Sequence, residues 1–393
     1  MTPGIGRTLR QIRHARGKSL TVVAGLAGIS PSYLSRLESG DRALDRRSLI
    51  VALANALDVA PTEITSGALA TPGELDEERS LGAVRLALLA VSMGEPCGEW
   101  MPAEALTARV SDVLAAQRDC RYAVVGEALP ALIRDLHTAL AAGGDQRTLL
   151  RLLVLTHVQG TQAWLMDVGA PLDLAWQAAT LARHAAERLA DDPVAEAASA
   201  FGTGFGLLGA GALDLAAQTL AAPRVGTATG EQLQLSGMLA LASSLVAAAR
   251  GDQRERAAAL DHATELAERS GDGDAWWFGF GPANVGVWRM SVALEAGEHA
   301  EAARIAQSVD PDALPSPTRK AAYWREYGRA LARLPKRHED AVLMLRRAER
   351  IAPARIHRHP FMRSVLAELL AKAKRDAVGR ELRGMAFRAG LTV

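Results

Sequence analysis

The chain has 393 residues, of which 49% are apolar and 23% are charged, and its formal net charge at pH 7 is +1. This length exceeds that of most single compact domains, and the composition is that of a globular protein with a sizeable core, which excludes a fibrous or disordered chain. Residues 1–67 carry nine Lys and Arg against five Asp and Glu, and residues 355–393 carry nine against three, which leaves −9 for the middle. Basic ends around an acidic body predict that an anionic partner binds at an end.

The same first pass excludes several classes of protein. Cys97 and Cys120 have no companion Cys or His at metal-ligand spacing, which predicts reduced thiols and neither a disulfide nor a metal site. The N-terminus lacks the apolar core of a signal peptide. The longest uncharged stretch, Gln232 to Ala249, contains Gln, Ser and Gly, so we expect a buried helix there and no membrane span. These features predict a cytoplasmic protein with no membrane partner.

Capping residues divide the first 66 residues into five short helical segments. Ser19 is suited to begin a helix that ends before Gly28, and Ser30 to begin another that ends at Gly40. One helix is predicted before these two and two after them, in GRTLRQIRHARG, RRSLIVALANALDV and PTEI. A capped helix, a tight turn containing Gly and a second capped helix form a helix-turn-helix.

The segment SLTVVAGLAGISPSYLSRLESG resembles the Cro/phage-repressor (XRE) class of DNA-binding domains, over about residues 6–66. The matching positions are Ala24, Gly28, Ile29, Ser30, Tyr33, Leu34, Ser35, Leu37, Glu38 and Gly40. The resemblance implies double-stranded DNA as a partner and a structural pairing of Arg13 with Glu38. Leu20 and Pro31 stand where many members carry Gln, so the operator does not follow from the resemblance.

The predicted recognition helix, about residues 31–39, is expected to enter the major groove of DNA. Arg36 is the best candidate for reading a guanine edge, and the arginines just past this helix are placed for phosphate contact. The full set of candidate DNA-binding residues is Ser19, Ser30, Ser32, Tyr33, Arg36, Arg42, Arg46 and Arg47. The alternative to DNA contact, for each arginine, is an ordinary solvated surface charge. For the motif as a whole, the alternative is a degenerate helix-turn-helix that is kept for contacts with proteins.

A repeat begins after residues 68–80, which combine Gly, Pro and acids and are predicted to link residues 1–67 to a helical repeat domain at 81–393. Similar segments start at positions 126, 169, 211, 251, 297 and 336, at intervals of 39 to 46 residues. Each segment begins with a helix-breaking residue, except the last segment, which begins with a basic turn. The helix that precedes each segment forms a helical pair with it. The pattern predicts an all-α fold, in which a five-helix helix-turn-helix domain is followed by a TPR-like α-solenoid.

This combination of an XRE head with a TPR-like body resembles a class of actinobacterial transcriptional regulators. Its architecture also resembles the peptide-pheromone receptors of Gram-positive bacteria, in which the solenoid binds a peptide and controls the head. We therefore expect a sequence-specific DNA-binding regulator that forms a homodimer and whose body senses a small molecule, peptide or protein. The alternative is an interaction scaffold, in which the body recruits a partner and the head localises it to DNA.

Catalytic motifs are lacking in this sequence. There is no phosphate loop, no serine elbow and no metal-binding His-x-x-x-His pattern, so we expect neither an enzyme nor a cofactor. His137 and His157 are expected to be packed or surface side chains, and His357 and His359 to lie on a surface loop without a metal. The amphipathic C-terminal segment from Arg355 predicts a helix that caps the solenoid.

One stretch concentrates aromatic residues in a chain that is only 4% aromatic: DAWWFGFGPANVGVWRM, residues 274–290. Its Gly-rich part is not expected to bind a nucleotide, because no strand–loop–helix unit surrounds it. Either the rings fill the core where Gly and Pro break a helix, or they line a pocket on the concave face. The candidate ligand-binding residues are Trp277, Phe280, Asn284 and Trp288.

Overall fold

The computed structural model describes residues 5–66, 75–189 and 191–391. Within those ranges the regular structure is helical and no strand is present, which confirms the all-α fold. The N-terminal helices are α1 (Ile5–Ala15), α2 (Leu20–Leu26), α3 (Pro31–Ser39), α4 (Arg47–Leu57) and α5 (Pro61–Ser66). We call residues 5–66 the head and the remaining helices the body.

The predicted caps of the head are confirmed. The Ser19 hydroxyl accepts the backbone N–H of Val22 at 3.3 Å, and the Ser30 hydroxyl accepts that of Tyr33 at 3.2 Å. Gly40 ends α3 with φ +86°, in the left-handed region that favours glycine. These contacts satisfy backbone groups that short helices would otherwise leave without partners.

The expected structural pair of the head is also confirmed. Arg13 donates to both carboxylate oxygens of Glu38, with Nε–Oε1 at 2.6 Å and Nη2–Oε2 at 2.8 Å, and both residues are buried. This bidentate pair fastens α1 to the last turn of α3. It therefore fixes the angle at which α3 is held against the rest of the head.

The body follows the same helical pattern to the C-terminus. Its first helices are α6 (Leu75–Ser92), α7 (Ala103–Arg118), α8 (Tyr122–Ala141), α9 (Gln146–Leu155), α10 (Ala163–Asp167), α11 (Leu172–Glu187), α12 (Pro193–Ala210) and α13 (Leu213–Ala221). The later ones are α14 (Gly230–Arg250), α15 (Gln253–Ser270), α16 (Pro282–Glu295), α17 (His299–Ser308), α18 (Pro317–Ala332), α19 (His338–Ile351), α20 (Pro353–His357), α21 (Pro360–Ala371) and α22 (Ala377–Arg388). A π-helical segment, Thr156–Gln162, joins α9 to α10 without a turn.

Most of the predicted helix breakers lie at hairpin turns. Gly169, Gly211, Gly251 and Gly297 all have φ between +70° and +81°, and each is followed by a helix of the predicted repeat. The basic turn before α19 is made by Lys336, with φ +62°. These turns begin the predicted repeat units.

The breaker expected at Gly126 is wrong. Gly126 lies inside α8, where a Cβ would come within 2.6 Å of the indole of Trp164. Glycine is needed here for close approach, and the turn before α8 is made instead by Cys120 with φ +59°.

The predicted linker is too long at its C-terminal end. Helix α6 begins at Leu75, and residues 67–74 lie outside the described ranges. The last helix breaker of the segment is Gly73, so nothing in residues 75–80 opposes a helix.

Successive hairpins of the body pack in chain order. Helices α12, α14, α16 and α18 each contact the next of the four, and α13, α15, α17 and α19 pack outside them. Helix α7 contacts α18, and the hydroxyl of Thr318 donates to the backbone carbonyl of Arg118, with the carbonyl of Gln117 3.3 Å from the same hydroxyl. The array therefore closes on itself and surrounds a central space.

Helix α14 forms part of this core. It is the one helix in the described ranges that is long and apolar enough to cross a membrane, and 72% of its apolar window is buried inside the protein. The expectation of a buried helix at Gln232 to Ala249 is confirmed.

Candidate DNA interface and central cavity

The exposed face of α3 brings together four of the predicted DNA-binding residues. The hydroxyls of Ser30 and Ser32 are 3.3 Å apart, and Arg36 Nε donates to the carbonyl of Ser32 at 3.3 Å. The Arg36 guanidinium lies 6.0 Å from the centre of the Tyr33 ring. Ser19 is exposed at the start of α2. Leu34 and Leu37 point into the head core, so α3 presents its polar side to solvent.

The three arginines that follow α3 lie against the body. Arg47 Nη1 is 3.5 Å from Glu295 Oε2, and Arg42 Nη1 is 3.5 Å from Glu368 Oε1. Arg46 packs against Gly297, where a Cβ would come within 2.6 Å of its guanidinium. The phosphate contacts expected of Arg42, Arg46 and Arg47 therefore do not fit this arrangement. The physical reason is that Ala43, Leu44 and Asp45, between α3 and α4, are buried and hydrogen-bonded to α18 and α21.

Buried carboxylates join the head to the body. The carboxylate of Asp45, in the head, accepts a hydrogen bond from Arg333 Nη2 at 2.8 Å. The backbone carbonyl of Asp45 accepts one from Arg329 Nη2, also at 2.8 Å. Burial pushes the pKa of Asp45 upward, but the charges of Arg333 and Arg329 outweigh it and hold that pKa below its ordinary value. Asp45 is therefore ionised at neutral pH.

Two body carboxylates bind the head backbone. Glu295 accepts the N–H of Ser48 at 2.9 Å, and Glu368 accepts the N–H of Ala43 at 2.9 Å. Both side chains are almost fully buried. We call the contacts of Asp45, Glu295 and Glu368 the clasp, because they hold the start of α4 on the body.

A cavity of about 250 Å³ lies between the clasp and the inner helices. Its apolar lining residues are Leu114, Val158, Phe201, Phe205, Leu245, Trp277, Phe278 and Trp288. Six arginines and three carboxylates line it as well: Arg47, Arg118, Asp167, Glu295, Arg319, Arg325, Glu326, Arg329 and Arg355. Arg47 comes from the head, so both parts of the chain line the same space.

Two of the four predicted ligand-binding residues reach the cavity. Trp277 and Trp288 both line it, together with Phe278. Phe205 meets Trp288 edge to face at 5.7 Å between ring centres, and Phe201 meets Phe278 edge to face at 4.8 Å. The rings form a packed apolar surface rather than isolated side chains.

The other two predicted residues are core residues, so their assignment to the ligand site is wrong. Asn284 is 1% exposed, and its Nδ2 donates to the carbonyl of Gly279 at 2.8 Å. Phe280 is 1% exposed and fills the space beside Gly237, where a Cβ would come within 2.1 Å of the ring. Both hold the loop before α16, in which Trp276 and Trp277 have φ of +54° and +61°.

The arginines of the cavity differ in their partners. Arg355 pairs with Asp167 at 2.8 Å, Arg325 pairs with Glu326 at 2.6 Å, and Arg118 pairs with Asp274. Arg319 donates only to the carbonyl of Phe278, at 3.4 Å, and forms no ion pair with a carboxylate in the described ranges. Burial, together with the charge of Arg355, lowers the pKa of Arg319 to about 10.

The π-helical segment forms one side of the cavity. Val158, Gln159 and Gln162 line it, and Gln162 Nε2 donates to the carbonyl of Gly202 at 2.8 Å. The Nε2 atoms of His157 in this segment and of His137 in α8 lie 3.2 Å apart. Of the two placements predicted for these histidines, packed or surface, the structure shows the packed one, with His157 buried and His137 half-buried. Such π-helical turns are frequent at functional sites.

The surface loop expected for His357 and His359 is wrong. His359 caps α21 from the position before Pro360: its Nδ1 accepts the N–H of Phe361, and its side chain lines the cavity. His357 Nε2 lies 2.6 Å from Glu349 Oε1. The predicted capping helix is α21, and it packs on the head as well as on the body, with Phe361 in the head core.

Comparison with known families identifies the head. Residues 5–66 match the family model described as a helix-turn-helix domain. The head is a helix-turn-helix domain. No curated protein and no solved structure matches the chain. The match ends at the last residue of α5, so it covers the head and does not extend into the body.

Neither the clasp nor the grouping of six arginines around the cavity is predictable from the sequence. Arg319 and Arg47 are separated by more than half of the chain, and no spacing rule brings them together. A weaker signal was present in α9 and the π-helical segment, where THVQGTQ follows the apolar run LLRLLVL. Polar residues in an otherwise buried helix indicate a site that needs hydrogen-bonding groups.

Proposed function

We propose that the protein is a sequence-specific DNA-binding transcriptional regulator and not an enzyme. The observation that carries this proposal is the exposed polar face of α3 within a matched helix-turn-helix domain. Ser32 and Arg36 stand on this face, and an arginine can donate two hydrogen bonds to a guanine edge. The XRE type of the head is part of the same proposal.

The regulator acts as a homodimer. One head presents a short recognition helix, and two heads on a two-fold site double the contact with DNA. The body, a TPR-like array, senses a ligand and changes how the heads are held. What supports this is the clasp, which couples the start of α4 to helices that line the cavity. Through this coupling, a bound ligand shifts the population of the heads between an arrangement that binds DNA and one that does not.

The DNA-binding proposal is tested with Arg36→Ala. Genomic fragments bound by the wild-type protein are selected first, and the affinity for one selected duplex is then measured by fluorescence anisotropy, with the mass of the complex giving its stoichiometry. We expect two chains per duplex and a loss of affinity of about tenfold, since a bidentate arginine–guanine contact contributes roughly 1–3 kcal/mol. The variant should keep the melting temperature of the wild type, because Arg36 is exposed.

The matched control is Arg304→Ala. Arg304 is exposed on α17 and pairs with Glu301. Its substitution by alanine removes the same charge as Arg36→Ala, but outside α3. It should bind the selected duplex as the wild type does. If Arg36→Ala binds the duplex as tightly as Arg304→Ala, then α3 does not read DNA.

A further inference from the structure

The central cavity combines apolar rings with an excess of positive charge. Six arginines line it, and five of them pair with a carboxylate: Arg47 with Glu295, Arg118 with Asp274, Arg325 with Glu326, Arg329 with Asp45 and Arg355 with Asp167. The sixth, Arg319, forms no ion pair in the described ranges, and five aromatic rings from α12, α16 and the loop before α16 line the same space. The histidine on the wall does not add charge at neutral pH, because burial and the nearby Arg325 hold the pKa of His359 well below its ordinary value. An uncharged or cationic occupant would leave this imbalance in place.

Arg319 is the cation with the least compensation. Asp167 attracts it, but that carboxylate already accepts Arg355 at 2.8 Å and Gln117 at 2.9 Å. A guanidinium withdrawn from water normally gains a carboxylate or phosphate in exchange for its lost hydration. The half-buried Arg319 side chain has, among the described residues, only the Phe278 carbonyl as a partner, at 3.4 Å.

The wall also carries unsatisfied hydrogen-bonding groups. Trp288 Nε1, Gln159 Nε2 and Gln117 Oε1 are buried and have no hydrogen-bond partner in the part of the chain that the structure describes. Buried polar groups without partners are uncommon, and each one costs free energy unless a water or a ligand completes it. Two of these three are donors, which again matches an occupant rich in acceptors.

The size of the cavity limits the occupant. A volume of about 250 Å³ is near the lower end of the range for small-molecule sites, and a peptide of several residues would exceed it. The rings of Phe201, Phe205 and Trp288 offer edges and faces to a flat apolar group.

We propose that this cavity binds a small organic acid with an aromatic body, whose anionic group pairs with Arg319 and whose ring lies against Phe201, Phe205 and Trp288. This inference deepens the proposed function and rests on it, because it names the class of ligand that the body senses.

The same site explains how the ligand is communicated to the head. Arg47 lines the cavity, and its pair with Glu295 is long, at 3.5 Å. The anionic group of a ligand in this cavity is a second negative charge near Arg47, besides that of Glu295. It therefore competes with Glu295 for the Arg47 guanidinium. Since Glu295 also holds the N–H of Ser48, a change in this pair alters the clasp at the start of α4.

The test uses the full chain and three aromatic acids of increasing size: benzoate, indole-3-acetate and 2-naphthoate, each beside its uncharged amide. Calorimetric titration measures their dissociation constants. At least one acid should bind ten times more tightly than its amide, which corresponds to about 1.4 kcal/mol. Arg319→Gln should remove this preference, while Arg347→Gln, which removes an arginine stacked on Trp324 outside the cavity, should retain it.

Thermal melting shows whether each variant is folded, and Arg319→Lys should recover part of the preference for the acid. If no acid binds more tightly than its amide, or if Arg319→Gln binds the acids as the wild type does, the anion site is wrong. The titrations need no DNA, so they decide the site even if α3 does not bind DNA. If an acid binds through Arg319 but leaves the affinity for the selected duplex unchanged, the communication through Arg47 is wrong.

Discussion

Single residues decide how closely the head helices approach one another. Gly6 in α1 lies against the end of α3, and a Cβ there would come within 2.2 Å of the Leu37 carbonyl oxygen. That oxygen belongs to the backbone, so it cannot rotate away as a side chain could. The glycine is therefore required by packing rather than by its backbone angles.

Gly6→Ala should destabilise the head. Forcing a methyl group into this contact moves α1 from α3, and overpacking of this kind costs about 1–3 kcal/mol. Gly25→Ala is the matched control, because nothing lies within 4 Å of a Cβ at that position of α2. Alanine there should be neutral or stabilising, by up to about 1 kcal/mol. Urea unfolding followed by helical circular dichroism compares the two, and equal stabilities would contradict the contact.

At the scale of elements, sequence patterns located the helices of the head well. Ser19, Ser30 and Gly40 are local signals, since a cap acts on backbone groups a few residues away. The hairpin turns at Gly211 and Gly251 are local in the same sense. The wrong prediction of a helix breaker at Gly126 shows the limit of local signals. A glycine can also be required for close packing, and the residue packed against Gly126, Trp164, is remote in sequence.

The π-helical segment was not predictable from periodicity. A π turn differs from an α turn by one residue, which the apolar pattern of α9 does not reveal. Its surroundings have a measurable consequence, because His157 is buried and His137 is half-buried, both as neutral side chains. Burial, assisted by Arg188, lowers the pKa of His137 to about 4, and burial lowers that of His157 well below its ordinary value.

This histidine pair should make the protein less stable in mild acid. Below a pH of about 6.5 the unfolded chain binds protons that the folded pair does not, so the free energy of unfolding falls as pH drops toward 4. Each histidine contributes a slope of up to about 1.4 kcal/mol per pH unit. His157→Gln should reduce the loss between pH 7.5 and 5.0 in urea unfolding, and exposed His262→Gln should not. A loss of the same size in all three proteins would contradict this account.

At the scale of the whole molecule, the sequence indicated two parts but not their contact. The segment after α3 has the composition of a DNA-binding surface, and this composition predicts phosphate contacts for Arg42 and Arg47. In the structure their partners are Glu368 and Glu295, which come from helices hundreds of residues away. The charge of an arginine is visible in the sequence, whereas the carboxylate that it meets depends on tertiary packing.

The clasp connects the head to the body through buried ion pairs and hydrogen bonds. Its carboxylates are buried, and removing one partner of a buried ion pair leaves the other charge uncompensated, which costs several kcal/mol. A conservative change is therefore preferable to a deletion. Glu295→Gln keeps an oxygen for the N–H of Ser48 but removes the charge that attracts Arg47.

The most direct test of the central claim, that the body governs the head, is the affinity of Glu295→Gln for the selected duplex. We expect a change of at least threefold from the wild type, together with faster amide exchange in α4, because the start of that helix is no longer held by a charged partner. Glu301→Gln, at an exposed pair on α17, should leave both quantities unchanged. A Glu295→Gln protein with wild-type affinity and wild-type exchange in α4 would contradict the claim.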